Sequence, residues 1–458
     1  MEKIVLIGAG SAMFTRGLLA DMIRSRQECE LALVDVDPAA LDAVEKLAVK
    51  MIAMGKAPVK LSAITDRRAA LKNAAAVICT IGVGGRRAWE QDVFIPRKYG
   101  IYQPVGDSVM PGGTSRALRM IPAMVSIAGD VLDLAPQALF FNYGNPMGAI
   151  CRGVRKATGA NMTGLCHGVM ATAPGLAAEL GVDSKSFSYV AMGMNHCTWV
   201  TEARVDGHDA MPSLMRMAGE KLNNSALARK AGVKYREDGS AETGARVDSN
   251  PFCWRLMKVF GAFPLPGDRH VTEFFPSFFP QGNYYGKRLG VDAFSFEKCI
   301  AYGDRIYEEM RAAAFSAGPL PGNYLESIAG EHEQVFDIID SIKTGSGRVY
   351  SVNLPNRGQI PNLPGDVVVE SPAVADCSGL RPLVQKPLPA GVAGTLASRL
   401  MWQETVVAAA LEGSCEKFIQ ALVLDGAVSS IETALALADD LLAAHAAHLP
   451  QFGKRIKK

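Results

Sequence analysis

The sequence predicts an α/β fold in which a doubly wound parallel sheet forms the N-terminal part of the chain. Short apolar runs alternate with helical stretches through the first third of the 458 residues. This alternation is typical of a parallel sheet with helices on both faces. The pattern weakens after about residue 170, and a chain of this length exceeds a single small core. We therefore expect one domain at residues 1–170 and an intimately packed α+β domain at residues 171–458.

The individual elements follow from the same pattern. The predicted strands of the first domain lie at residues 3–7, 30–36, 75–81 and 138–142. The predicted helices between them lie at residues 14–25 and 38–54. The second domain is expected to contain strands at 189–192 and 199–205, a loop at 236–250 and an Ala- and Leu-rich helix at 431–447.

Composition excludes several classes of protein. The net charge of +2, with 48% hydrophobic and 21% charged residues, favours neither a nucleic-acid partner nor an anionic membrane surface. No apolar run reaches the roughly 18 residues that span a bilayer. The nine cysteines form no CxxC pair, which favours free thiols in a reducing cytoplasm. The chain enters a strand at once, without the pattern of a signal peptide, so a cytoplasmic location is expected.

A glycine turn follows the first strand. Gly8, Gly10 and Ser11 lie where a dinucleotide fold brings its backbone close to a pyrophosphate, although Met13 replaces the third glycine of the usual pattern. An ordinary strand–turn–helix unit has the same two glycines. Asp35, at the end of the second strand, favours the nucleotide interpretation because an acid there holds the ribose hydroxyls of NAD. Gly82, after a later strand, adds a second glycine edge.

A thiol and an imidazole are the candidate metal ligands. Cys166 and His196 would suit a borderline transition metal and leave coordination positions open for substrate oxygens. The alternative for each is a packed core residue. Asn145 belongs to an Asn-Pro turn after a predicted strand, where ligands bind in open α/β sheets, although a turn without a chemical role has the same sequence.

Charged residues gather in two further segments. Asp268, Arg269 and His270 lie close together after a Pro-Leu-Pro run, and they predict either a substrate site or a solvated turn. Asp107, in a Gly-Asp pair, leaves the same two alternatives. Arg86, just after the second glycine edge, and its neighbour Arg87 would either bind an anionic substrate or pair with surface acids.

These motifs, in this order, resemble glycoside hydrolase family 4, the NAD- and metal-dependent glycosidases. The likeness covers the whole chain and rests on several further motifs as well, which are Asn353 to Asn356, Asn362 to Pro364, Glu404, and Leu424 with Asp425. It implies a lactate/malate dehydrogenase-like fold, NAD and Mn²⁺ as cofactors, a small-molecule glycoside as substrate, and a homodimer or homotetramer.

The resemblance also implies an unusual hydrolysis. NAD⁺ takes hydride from C3 of the sugar, and the resulting ketone acidifies the proton at C2. A base removes that proton while the metal, bound by the oxygens at C2 and C3, stabilises the enediolate. The leaving group departs by elimination, water adds, and the ketone is reduced again. Two-carboxylate hydrolysis is therefore not expected.

Site residues can be carried over from the family one by one. The metal ligands would be Cys166 and His196, and Asn145 would contact both the cofactor and the sugar hydroxyls. Asp107 resembles an acid of the substrate site, with Arg269, His270 and Arg86 as further substrate candidates. Asp268 lies where members carry the proton-abstracting base, a position at which some members have Tyr. His167 replaces the Asp or Asn of phosphosugar enzymes, so it argues against a 6-phosphosugar and is a candidate general acid.

Specificity and function remain open at this point. The run Cys166, His167, Gly168, Val169 most resembles the α-glucuronidase group, whereas α-galactosidases and α-glucosidases tend to have Ser at position 168 and α-galacturonidases Glu. A uronate would need a cation near C6, and Arg86, Arg87, Arg116 and Arg269 are the candidates. The alternatives are another glycosidase of the same family, a plain dehydrogenase that accumulates NADH, and a non-catalytic NAD-binding regulator.

Overall fold

The structure is a computed structural model that describes residues 1–223, 250–328 and 333–453. The strands of its large sheet are β1 (Glu2–Ile7), β2 (Cys29–Val34), β3 (Val59–Ile64), β4 (Ala74–Cys79), β5 (Leu139–Asn142), β6 (Met162–Gly164), β7 (Phe187–Met194), β8 (Cys197–Val205), β9 (His208–Asp209) and β10 (Phe263–Leu265). A separate hairpin consists of β11 (Asn283–Tyr284) and β12 (Lys287–Arg288). The large sheet is completed by β13 (Arg348–Pro355), β14 (Val368–Asp376) and β15 (Gly379–Pro382).

The α-helices lie between and after these strands. Those of the N-terminal part are α1 (Thr15–Ser25), α2 (Pro38–Gly55), α3 (Arg67–Leu71), α4 (Gly85–Lys98), α5 (Met110–Leu134), α6 (Met147–Thr158), α7 (Gly168–Thr172) and α8 (Pro174–Leu180). Those that follow are α9 (Met211–Asn223), α10 (Pro251–Phe260), α11 (Asp268–Val271), α12 (Phe296–Phe315), α13 (Tyr324–Ser327), α14 (Val335–Thr344), α15 (Ala390–Glu412), α16 (Cys415–Asp425) and α17 (Ile431–Ala444).

Six parallel strands form the N-terminal half of the sheet. Their order is β3-β2-β1-β4-β5-β6, and every neighbouring pair is parallel. This is the order of a dinucleotide-binding sheet, in which ligands bind at the carboxyl ends where the strand order reverses. Side chains of β1 alternate between the two faces: Val5 and Ile7 pack in one core, and Ile4 and Leu6 in the other. The predicted fold class is confirmed.

The second half of the sheet is antiparallel and continues from the first without a break. β13 pairs with β6 through Asn353 and Gly164, and the order then runs β14-β7-β8-β10. Two short strands, β15 and β9, attach to β14 and β8. Because the halves share one sheet, the division at residues 170/171 stays a prediction about domains.

Most predicted elements appear within a few residues of their expected bounds. The strand β3 and the long helix α5 were not predicted, and most of the predicted loop at 236–250 lies outside the described residues. All nine cysteines are free, and six of them are buried. Of the helices that the structure describes, none has the length and apolar character needed to cross a membrane.

Candidate active site

The predicted nucleotide-binding residues meet at the carboxyl end of β1. Gly8 has a φ of +87°, and a Cβ atom there would lie 2.8 Å from the backbone nitrogen of Ile81. Only glycine permits this approach between the first turn and the strand end that precedes Gly82. The Gly10 N–H donates to Oδ2 of Asp35 over 2.8 Å, so the predicted acid lies against the turn. The Ser11 N–H closes the turn by donating to the Gly8 carbonyl oxygen.

The two candidate metal ligands come from adjacent parts of the sheet. Cys166 follows β6, and His196 is the second residue of the two-residue turn between β7 and β8. His196 has a φ of +66°, a left-handed conformation that few non-glycine residues adopt. The side chain of Asn195, the first residue of that turn, is near enough to the Cys166 thiol to lower its pKa. The turn therefore brings both predicted ligands to one site.

A hydrogen-bonded chain fixes the imidazole of His196. Nδ1 lies 2.8 Å from Oγ of Ser108, and that hydroxyl is 2.7 Å from Oδ1 of Asp107. The other Asp107 oxygen accepts from Nδ2 of Asn145 over 2.9 Å. Because the Ser108 hydroxyl donates to the carboxylate, it accepts from Nδ1–H, which leaves the lone pair on Nε2 available for a metal.

Burial sets the protonation of these groups. It lowers the pKa of His196 to about 4, partly offset by the negative charge of Asp107. It raises the pKa of the Cys166 thiol to about 12, with a further increase from the charge of Glu370. A neutral imidazole is already the form that binds a metal, whereas the thiol must lose its proton when a cation binds.

The donors fit a borderline divalent transition metal, since a thiolate and an imidazole are the ligand types such ions accept. Among the described residues no group of three His, Cys, Asp or Glu side chains is arranged as a metal cage. Two buried amide oxygens at this site, Oδ1 of Asn145 and Oδ1 of Asn195, have no hydrogen-bond partner among the described residues. Both oxygens can accept hydrogen bonds from the hydroxyls of a substrate.

His167 lies at the open side of the cluster. Its side chain is 55% exposed, and Nδ1 is 3.3 Å from Oε1 of the buried Glu333. Hydrogen bonding to Glu333 raises the pKa of His167, and burial opposes this. More than half of the side chain is accessible to solvent, so the carboxylate of Glu333 has the larger effect on this pKa. A protonated imidazole here could donate to a leaving group.

Asp268 lies in a different environment from the one predicted. Its carboxylate is fully buried and accepts hydrogen bonds from the N–H groups of Phe252 and Cys253, each at 2.8 Å, and from the Tyr284 hydroxyl at 2.6 Å. These two N–H groups belong to the first turn of α10, so Asp268 caps that helix. Burial raises its pKa. Its role as proton-abstracting base stays a prediction, for which this geometry offers no support.

The predicted substrate residues separate into two groups. The His270 ring lies 4.1 Å from that of His196 between centroids, and the charge of Arg269 acts on both rings. Arg269 and His270 therefore belong to the site. Arg86 instead pairs with Asp304 of α12, as does Arg87. For both arginines the structure favours the surface-pairing interpretation.

Arg116 is the remaining arginine candidate. Its Nε donates to the carbonyl oxygen of Asn145 over 3.0 Å, and Nη2 lies 3.6 Å from the position that a Cβ on Gly82 would occupy. In the described part of the chain, its two terminal nitrogens have no hydrogen-bond partner. Arg116 thus places an unpaired cation between the second glycine edge and the cluster.

Four residues of the site were not identified from the sequence: Ser108, Asn195, Glu333 and Glu370. Ser108 and Asn195 each stand beside a predicted residue, so adjacency to Asp107 and His196 was a usable signal. Glu333 and Glu370 are separated from the cysteine turn by more than 150 positions. Only the tertiary fold brings Glu333, just before α14, and Glu370, in β14, near the site, and no local pattern indicates it.

Comparison with known proteins shows which family this chain is similar to. The model for family 4 glycosyl hydrolases matches residues 3–182, and that for the C-terminal domain of the same family matches residues 191–428. An α-glucosidase of Erwinia rhapontici is 33% identical over 92% of this chain and 93% of its own. An α-galacturonidase of Bacillus subtilis is 30% identical over 92% of each chain.

Solved structures agree on the fold. A Bacillus subtilis protein described as a glucosidase has a TM-score of 0.81 at 28% identity, covering 96% of this chain and 100% of that one. A 6-phospho-α-glucosidase from gut microorganisms, solved with NAD and Mn²⁺, has a TM-score of 0.80 at 18% identity, covering 98% and 99%. The second likeness concerns the fold alone.

Proposed function

Because this chain belongs to glycoside hydrolase family 4, we propose that it hydrolyses an unphosphorylated α-glycoside, an α-glucuronide, with NAD and Mn²⁺ as cofactors. The observation that carries the proposal is the connected cluster of Cys166, Asn195, His196, Asp107 and Asn145. It offers a thiol and an imidazole to a metal beside amide and carboxylate groups that suit sugar hydroxyls.

Each group in the cluster has a proposed task. Cys166 and His196 bind the metal, which supplies Lewis-acid stabilisation of negative charge on the sugar when it is present. NAD, held along Gly8, Gly10, Ser11, Asp35 and Gly82, supplies the reversible oxidation at C3. Asn145 and Asp107 orient the sugar hydroxyls beside the metal ligands.

His167 is the proposed general acid. Its pairing with Glu333 favours the protonated form, and its exposed ring can reach a leaving-group oxygen at the open side of the site. An imidazolium next to an acid also differs from the Asp or Asn of phosphosugar enzymes, which supports an unphosphorylated substrate.

Arg116 is the proposed partner of the substrate carboxylate. Arg86 and Arg87 are engaged with Asp304, and Arg269 donates to the sulfur of Cys299. Arg116 keeps its terminal nitrogens available next to Asn145, and burial lowers its pKa. An anionic substrate group would offset the cost of that buried charge.

A panel of p-nitrophenyl glycosides tests the proposal. We expect release of p-nitrophenol from the α-glucuronide, dependent on NAD⁺, Mn²⁺ and a reductant. Cleavage of the α-galacturonide, α-galactoside or α-glucoside with the same cofactor dependence would keep the mechanism and replace the substrate. Cleavage of a 6-phosphoglucoside would contradict the argument from His167. Accumulation of NADH without glycoside cleavage would support a dehydrogenase instead.

The role of Arg116 is tested by Arg116→Met, which keeps an unbranched apolar stem and removes the charged guanidinium. We expect KM for the uronide to rise about tenfold or more, the range of a lost charged hydrogen bond, with a smaller change for a neutral glycoside. Arg87→Met is the matched control, since Arg87 pairs with Asp304. Equal losses on both substrates would mean that Arg116 positions Asn145 and does not recognise a carboxylate.

A further inference from the structure

Glu370 is a buried carboxylate without a cationic side chain as partner in the described part of the chain. It lies in β14 with 1% of its surface exposed. One oxygen accepts from Nδ2 of Asn195 and Oγ1 of Thr198, each over 3.2 Å, and the other accepts from Oγ of Ser351 over 3.2 Å. All three donors are neutral. Burying an acid in this way is costly unless positive charge is supplied from elsewhere.

The position of Glu370 indicates where that charge would come from. Across the sheet it is paired with Gly193, at the end of β7 that leads into the Asn195–His196 turn. The side chain of Asn195, the residue before His196, donates to the Glu370 carboxylate, and the charge of Glu370 acts on the Cys166 thiol. Glu370 therefore lies behind the turn that carries His196, one hydrogen bond from the residue that precedes this proposed ligand.

We propose that Glu370 is a positioning residue for the divalent metal: it holds the Asn195 side chain, and with it the turn that carries His196, and supplies the negative charge that a cation bound by Cys166 and His196 offsets. This inference rests on the proposed metal site. Groups behind the direct ligands commonly tune metal affinity by about 10–100-fold, because they orient the ligands and set the local charge. Glu370 contacts neither the metal nor the sugar in this assignment.

The chemistry of the neighbours limits the alternatives. If Glu370 only joined β14 to β7, a neutral amide of the same shape could replace it without affecting any ligand. If it acts on a cation, its charge matters independently of its shape. Glu370→Gln separates these two possibilities, since it keeps an acceptor oxygen and removes the charge.

The test is Mn²⁺ binding to the full-length protein, measured by equilibrium dialysis and by the electron paramagnetic resonance signal of free Mn²⁺. We expect Glu370→Gln to raise the Kd at least about tenfold and Glu370→Asp, which keeps the charge, to recover part of the loss. Ser351→Ala is the matched control, because it removes one neutral hydrogen bond from the same carboxylate. We expect its Kd to stay within about twofold of wild type.

Thermal unfolding with and without Mn²⁺ gives a second readout. Glu370→Gln should lose most of the Mn²⁺-dependent rise in Tm, whether or not its metal-free Tm changes. If the glutamine variant does not fold, the aspartate variant still tests the proposal. Its side chain is shorter, so a wild-type Kd for Mn²⁺ in Glu370→Asp would overturn positioning through Asn195. Wild-type binding by a folded Glu370→Gln would overturn the role of its charge.

Failure of the underlying proposal has a different signature. If the wild-type protein binds no Mn²⁺, and Cys166→Ser and His196→Ala change nothing, then the metal site itself is refuted together with this inference. If the wild type binds Mn²⁺ through those ligands and Glu370→Gln binds equally well, only the inference about Glu370 is refuted.

Discussion

At the scale of single residues, the buried carboxyl group of Glu273 makes the stability of the fold depend on pH. Its Oε1 accepts from the N–H groups of Val105 and Gly106, each over 2.8 Å, and burial raises its pKa to about 8. An unfolded glutamate has a pKa of about 4.3, so the native state keeps a proton that the unfolded state has lost. The contribution of Glu273 to the free energy of unfolding is full below about pH 4. It declines as pH rises toward 8, by up to about 1.4 kcal/mol per pH unit.

Glu273→Gln should therefore reduce the loss of unfolding free energy that accompanies a rise in pH. The amide oxygen can accept both N–H groups, and the side chain no longer titrates. Urea unfolding at intervals from pH 5 to pH 8 measures the free energy of unfolding of both proteins. Glu297→Gln, a change at a half-exposed acid paired with Arg97, should keep the wild-type slope. A wild-type slope in Glu273→Gln would contradict the assignment.

How far the site could be predicted depends on the kind of residue. Cys166, His196, Asn145 and Asp107 stand in short motifs after strands or turns, and the structure brings them together. Asp268 stood in an equally suggestive motif, yet its oxygens bind the start of α10. A charged motif in a loop has the same sequence whether it faces a substrate or a helix end, because the partners lie elsewhere in the chain.

At the scale of elements, the start of α10 depends on Asp268. Asp268→Asn replaces one of the two carboxylate oxygens, each of which accepts a backbone N–H, with an NH₂ group that cannot accept. It should lower the free energy of unfolding by about 1–3 kcal/mol. Thermal and urea unfolding measure this loss, with Asp183→Asn, a change at an exposed cap, as control. Unchanged stability combined with loss of turnover would restore Asp268 as the catalytic base.

The strand β3 and the helix α5 escaped prediction for two separate physical reasons. β3 is the edge strand of the parallel half, and its side chains are mostly half-buried. Such a position accepts polar residues, and Lys60 and Ser62 interrupt the apolar run that would have indicated a strand. α5 begins with Pro111, Gly112 and Gly113, which indicate a turn when they are considered alone. A Cβ on Gly113 would lie 2.5 Å from the carbonyl carbon of Ser108, so close packing against the active-site turn selects glycine.

At the scale of the whole molecule, a buried ion pair of the N-terminal part of the chain contacts the C-terminal segment. Asp92 of α4 and Arg119 of α5 pair with fully buried side chains, and Nε2 of His445, just after α17, lies 2.9 Å from Asp92. Arg119 also donates to the carbonyl oxygen of Val83, next to Gly82. The C-terminal segment thereby supports the second glycine edge.

Asp92→Asn should destabilise the protein by about 3–5 kcal/mol, because it leaves the Arg119 charge buried without its partner. Chemical unfolding measures the loss, and weaker NAD binding should accompany it. The control is Asp130→Asn, whose partners Arg67 and Arg68 are more exposed, with an expected effect below about 1 kcal/mol. A similar small effect at Asp92 would mean that the pair contributes little.

The junction at Gly164 has a consequence for dissecting the protein. Gly164 is paired with Asn142 on one side and Asn353 on the other, so β6 has a neighbour on each side. A gene cut after codon 170 would release a fragment whose β6 exposes unpaired N–H and C=O groups, and such an edge recruits strands from other molecules. That fragment would stay dispersed only if the remainder of the chain, carrying residues 348–355, were expressed beside it.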